Sequence, residues 1–120
     1  MPTRTVGRIT SRTAFGALQR SRARGTSGPV RVSFVPVADA LPGVFPQVGY
    51  AISRRCGGAV VRNTLRRRMR EVARAEAPIL PRGTYLVRLA PDAAAFPADQ
   101  FRVDVARALE RAGRSATVTR

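Results

Sequence analysis

The sequence predicts a single mixed α/β domain, on three observations. Residues Val30 to Pro36 alternate apolar and polar at period two, the pattern of a half-buried strand. Two other stretches, from Ala59 to about residue 77 and from Pro97 to Ala112, repeat their apolar side chains at helical spacing instead. The length of 120 residues suits one domain with one modest core and leaves no room for a separate catalytic domain.

In chain order, residues 1–9 read as a flexible basic arm. Thr10 or Ser11 can cap a short helix running to about Arg20, with Phe15 and Leu18 on its apolar side and Gly16 weakening it. Ser21 to Pro29 is rich in turn residues, with room for a short strand near Arg24, and leads into the strand Val30–Pro36. Leu41-Pro42-Gly43 marks a turn, after which Val48 to Ser53 is extended again, so the two strands read as an antiparallel hairpin with a long loop. Gly57 and Gly58 precede a helix that must end before Pro78, because proline cannot continue it. Those glycines leave two readings open: a phosphate site at the helix's amino end, or a plain strand-to-helix turn. Tyr85 to Ala90 forms the next strand, ended by Pro91. The last helix starts near Pro97 and aligns Phe101, Val105, Ala108, Leu109 and Ala112 on its apolar face. Its other face, including Asp104, mixes signs like a solvated surface. Gly113 reads as its stop, leaving 114–120 as a flexible tail.

Charge narrows the function. There are 22 basic residues, all arginine, against 7 acids, a net charge of +15. Residues 1–70 hold 14 of the arginines and one acid, Asp39, so the binding surface is expected there. The absence of lysine fits either forked phosphate recognition or an arginine-favouring codon bias. With no histidine, serine and cysteine lack their usual activating base, so hydrolytic triads are excluded. The one cysteine, Cys56, excludes an internal disulfide. No run approaches the roughly 18 apolar residues of a membrane span, which predicts a cytoplasmic protein with no membrane partner. Residues 1–27 are also acid-free and rich in Arg, Ser and Thr, a composition shared with organellar transit peptides.

The densest basic segment is Arg62-Asn63-Thr64-Leu65-Arg66-Arg67-Arg68-Met69-Arg70-Glu71. Stepping about 100° per residue groups Val61, Leu65, Met69 and Val72 in one arc. Arg62, Asn63, Arg66, Arg67, Arg70 and Arg74 gather on the opposite side. An ordinary solvated helix face mixes signs, whereas this one calls for an external anion, and guanidinium groups bind phosphate in bidentate fashion at any physiological pH. Arg68 falls near the apolar arc, where its stem can run along the sheet.

The run Gly49-Tyr50-Ala51-Ile52-Ser53-Arg54-Arg55-Cys56-Gly57-Gly58-Ala59-Val60-Val61-Arg62-Asn63, continued by Arg66-Arg67 and Arg70-Glu71, resembles the signature of the bacterial ribonuclease P protein family. Spacing is kept throughout, and the one non-conservative departure is Gly58, where the family has asparagine. Thr10 to Phe15 is similar to the family's first helix, which stands against the transit-peptide reading. The resemblance spans about residues 9–112 and implies a two-layer α/β sandwich like domain 2 of ribosomal protein S5. Its element order would be α-β-β-β-α-β-α, with a left-handed crossover around the arginine helix.

It further implies a protein subunit that assists a catalytic RNA in the magnesium-dependent removal of the 5′ leader from precursor transfer RNA. Arg54, Arg55, Arg62, Asn63, Arg66, Arg67 and Arg70 would hold the catalytic RNA, with Arg12, Arg68 and Arg74 as secondary candidates. Phe15, Phe34 and Tyr50 would line a leader-binding cleft in the central sheet, where bases stack on rings with little sequence demand. Magnesium ions would come mainly with the RNA. A small ribosomal or general RNA-binding protein is the alternative, and it has no reason to favour a leader-bearing precursor.

Overall fold

The computed structural model describes residues 16–18, 20–37 and 42–118. The expected basic arm, Arg12 and Phe15 lie outside them, and of the first helix residues 16–18 and 20 are helical. Strands β1 (Ala23–Ser27), β2 (Val30–Pro36), β3 (Gln47–Ala51) and β4 (Gly83–Leu89) form one sheet in the order β1-β2-β4-β3. Helices α1 (Ala59–Glu76) and α2 (Ala98–Val118) pack together against one face of it. No helix among the described residues is long and apolar enough to cross a membrane.

The first two strands form a hairpin closed by two residues: Ser27 pairs with Val30, Gly28 takes φ +53°, and Pro29 completes the loop. A positive φ at the first loop position matches the twist of the flanking strands, and glycine adopts it without a Cβ penalty. The expected hairpin between the strands at 30–36 and 48–53 does not form. β4 lies between them, antiparallel to β2 and parallel to β3. The physical reason is burial: β4 is buried at six of its seven positions, so it needs neighbours on both edges, and the connection through α1 delivers it parallel to β3.

Register divides the side chains between the two faces. Val30, Val32 and Phe34 of β2 stand beside Leu89, Val87 and Tyr85 of β4. They form the core with Val48, with Leu65, Met69, Val72 and Ala73 of α1, and with Phe101, Val105, Ala108, Leu109 and Ala112 of α2. A buried chain of that size contributes roughly 1.5–3 kcal/mol by leaving water. The opposite face carries the alternate residues: Arg24, Arg31 and Arg88 are exposed there, whereas Ser33, Thr84 and Leu86 are buried.

Two expectations about α2 are corrected. The helix does not stop at Gly113 but runs on to Val118, so 114–118 is helix rather than flexible tail. A Cβ at Gly113 would lie 2.9 Å from Pro81 Cδ and 3.2 Å from the Tyr85 hydroxyl. That glycine provides close packing rather than a terminus. Asp104, expected in solvent, is 3% exposed. Its Oδ1 accepts a hydrogen bond from Ser27 Oγ at 2.7 Å, which ties α2 to the end of β1 and offsets part of the cost of burying the carboxylate, while Oδ2 is buried without a partner.

Candidate nucleic-acid interface

The turn leading into α1 is a short 3-10 segment, Arg54–Cys56, closed by Gly57 at φ +138°. Gly58 then occupies the helix N-cap with extended backbone and makes no side-chain cap. Leu65, Met69, Val72 and Ala73 are buried against the core, as the helical spacing predicts. Val61 is 37% exposed and Val60 80%, so the first turn of the helix projects past the sheet instead of packing on it. That projection offers the amino end of α1 and the arginine turn before it to a partner.

Along the helix, Arg62, Arg66, Arg70 and Arg74 follow one another at four-residue steps, with Asn63 and Arg67 on the outward side. Local contacts orient two of them: Arg62 Nε donates to Gly57 O at 3.2 Å, and Arg66 Nη1 to Asn63 Oδ1 at 3.0 Å. Acids on the same helix do not neutralise this ridge. Glu71 is engaged with Arg102 of α2 at 3.2 Å. Burial, and then the Glu110 carboxyl beside it, push Glu76 up to about 7. Arg54 and Arg55 are exposed on the lead-in turn, so all seven side chains predicted for the catalytic RNA share one helix and its entry. Arg68 is half-buried with its Nε enclosed and unpartnered, in keeping with its place beside the apolar arc.

Of the predicted aromatic cleft, Phe15 lies outside the described residues, and the other two rings turn to the helix side of the sheet. Phe34 is fully buried, its ring stacked on Tyr85 with centroids 4.3 Å apart and planes 20° apart. It is a core residue with no exposed face for a base, because the period-two pattern of β2 turns it toward the helices. Tyr50 also lies on the helix side of the sheet, half-buried near Arg70 and Arg74. Burial pushes its phenol up to about 12 against the opposing pull of those two arginines, so it keeps its proton and remains a donor.

The opposite face holds a feature that sequence reasoning missed. An open groove of about 530 Å³ runs across β1, β2 and β4, and Arg24, Arg31 and Arg88 line it with Thr26 and Ser33. Arg31 and Arg88 are register partners, and Arg24 sits two residues along β1 from Thr26, the partner of Arg31. Each arginine occupies the polar phase of its own strand, which was visible in the sequence. Their convergence depends on β4 lying beside β2, which was not.

Comparison with known proteins bears on the family and the fold. Residues 4–113 match the family model described as Ribonuclease P. A relative in Symbiobacterium thermophilum, "Ribonuclease P protein component", is 39% identical over 107 residues, 88% of this chain and 90% of that one. One of the same description in Acidothermus cellulolyticus is 37% identical over 99 residues, 81% of this chain and 80% of that one. Among solved structures, the ribonuclease P protein of Thermotoga maritima is similar in fold, with a TM-score of 0.71 at 20% identity over 87% of this chain and 96% of that one.

Proposed function

Since this chain belongs to the ribonuclease P protein family, we propose that its two basic surfaces divide the RNA contacts of that enzyme. It is a subunit of the ribonucleoprotein endoribonuclease that processes transfer RNA at the 5′ end, and an RNA component is its partner. That membership sets aside the ribosomal alternative. In our reading the RNA carries the catalysis, and the protein holds it through the arginine ridge of α1 and the turn before it. Tyr50 joins that face as a hydrogen-bond donor beside Arg70 and Arg74. The observation that carries the reading is the gathering of seven phosphate-binding side chains on one projecting helix and its entry, with no acid neutralising them.

The opposite face of the sheet is left for the second RNA, the single-stranded 5′ leader of precursor transfer RNA. Its exposed arginines make it electropositive, and the groove they line suits an extended strand of nucleic acid. Among the described residues no three carboxylate or cysteine side chains converge, so they do not fit a protein-held magnesium cage. Magnesium ions in this reading belong to the RNA. We also read the fold as the ribosomal protein S5 domain 2 type with a left-handed crossover. The adjacent, parallel β3 and β4 joined through α1 supply the crossover that this reading requires.

The test is reconstitution: purified protein and ribonuclease P RNA are combined at low magnesium with a precursor transfer RNA. The expected result is protein-dependent cleavage at the 5′ maturation site. Tight RNA binding with no gain in cleavage would refute the proposal.

A further inference from the structure

Folding sorts the charges of α2. Asp104 is buried, its Oδ1 taken by Ser27 Oγ at 2.7 Å and by Gln100 Nε2 at 3.3 Å. Glu110 is half-buried and turns toward α1, where it shares a hydrogen bond with Glu76. Arg102 is engaged with Glu71 at 3.2 Å. Asp99 stays exposed, but it lies in the first turn, about 12 Å along the axis from Arg107. Beyond that turn, the helix face that mixes signs in the sequence presents Arg107, Arg111 and Arg114 to solvent.

Stepping about 100° per residue places these three arginines within an arc of about 60°. Like charges at i, i+4 repel, so Arg107 and Arg111 work against the helix that carries them. The helix dipole does not account for them, because its pull is confined to the last turn, which holds no basic residue. Among the described residues no hydrogen bond or ion pair holds Arg107. Arg111 is held in place instead. A Cβ at Gly25 would collide with Ala108 O and Ala112 N, so glycine lets β1 lie close against α2, and Arg111 Nη1 donates to Thr26 O at 2.6 Å. That contact uses one of five guanidinium donors and leaves others for a phosphate.

We infer that the stripe of Arg107, Arg111 and Arg114 on α2 is a second attachment for the backbone of the enzyme's RNA component. It rests on the reading of α1 as the first attachment. Both helices pack on the same face of the sheet, so one folded RNA can reach both, and the stripe shares the ridge's chemistry of arginines at helical spacing. Phe101, the one aromatic residue of α2, is buried, so this contact is made to phosphate and is indifferent to base sequence.

The first test is the salt dependence of binding to the ribonuclease P RNA alone. In R107Q/R111Q the log–log slope should flatten by about 1.4–1.8, each phosphate contact contributing roughly 0.7–0.9. R107K/R111K keeps both charges and should keep the slope. The second test leaves the arginines intact: an iron–EDTA probe is attached to V103C, at an exposed position one turn before Arg107, while the native Cys56 is buried. Hydroxyl radicals from the probe should cut the RNA component in the assembled holoenzyme.

An unchanged slope in R107Q/R111Q overturns the inference, as do cuts confined to precursor transfer RNA or no cuts in either RNA. None of these results touches the α1 ridge, which its own variants test. A wild-type protein that does not bind the ribonuclease P RNA overturns the proposed function, and the inference falls with it.

Discussion

Phe34 packs its ring against Tyr85 at the centre of the sheet, and the Tyr85 hydroxyl donates to Pro81 O at 2.7 Å, which satisfies the one polar atom in that stack. Removing the ring leaves a cavity that the surrounding strands cannot close. Phe34→Ala is therefore expected to lower stability in urea denaturation by about 3–5 kcal/mol. A ring that contacted RNA would instead show weakened precursor binding at unchanged stability. Gly58 presents the opposite case: a Cβ there would meet nothing within 4 Å, and the backbone at φ −71° and ψ −179° is open to any residue. The asparagine that relatives of the resembled family carry can cap α1, so Gly58→Asn should raise the melting temperature slightly, equivalent to a few tenths of a kcal/mol. A lower melting temperature would show that the turn needs glycine itself. The spacing of polar and apolar residues made the outward arginines of α1 legible. It could not separate a buried aromatic from a cleft aromatic, because both occupy the apolar phase of a strand.

Between elements, the carboxyls of Glu76 on α1 and Glu110 on α2 meet where the helices pack, and Glu76 is pushed from its ordinary 4.5 up to about 7. The folded state then holds a proton that the unfolded chain releases at lower pH. The associated stability is full below about pH 4.5 and is lost as pH rises through 7. For a carboxyl in partial contact with water the effect is about 1 kcal/mol after solvent screening. Denaturation at pH 5 and at pH 8 should show wild type weaker at the higher pH and Glu76→Gln nearly level; an equal decline in the variant would place the titration elsewhere. Strand positions were legible at this scale because each follows from its own run of residues. Strand order was not: nothing in the sequence between β2 and β3 signals that β4 lies between them, and only the near-continuous burial of β4 demands the central place. Gly113 misled for a related reason, since its partners Pro81 and Tyr85 come from distant parts of the chain.

Over the whole molecule, arginines among the described residues cluster on two surfaces besides the stripe of α2. The ridge of α1 lies on the helix-bearing side near β3, and the groove of Arg24, Arg31 and Arg88 lies on the opposite face toward β1. The first was legible because a helix carries its own face in a contiguous segment. The second assembles from three strands and needed the register. A protein built this way can hold two RNA segments on opposite sides without competition for the same arginines. The central claim is that α1 binds the backbone of the catalytic RNA, and the most direct measurement is the salt dependence of that binding for wild type and for the triple variant Arg62→Ala, Arg66→Ala, Arg70→Ala. The log–log slope should flatten by roughly 2–3, each lost phosphate contact removing about 0.7–0.9. An unchanged slope would contradict the account and put the catalytic RNA on another surface.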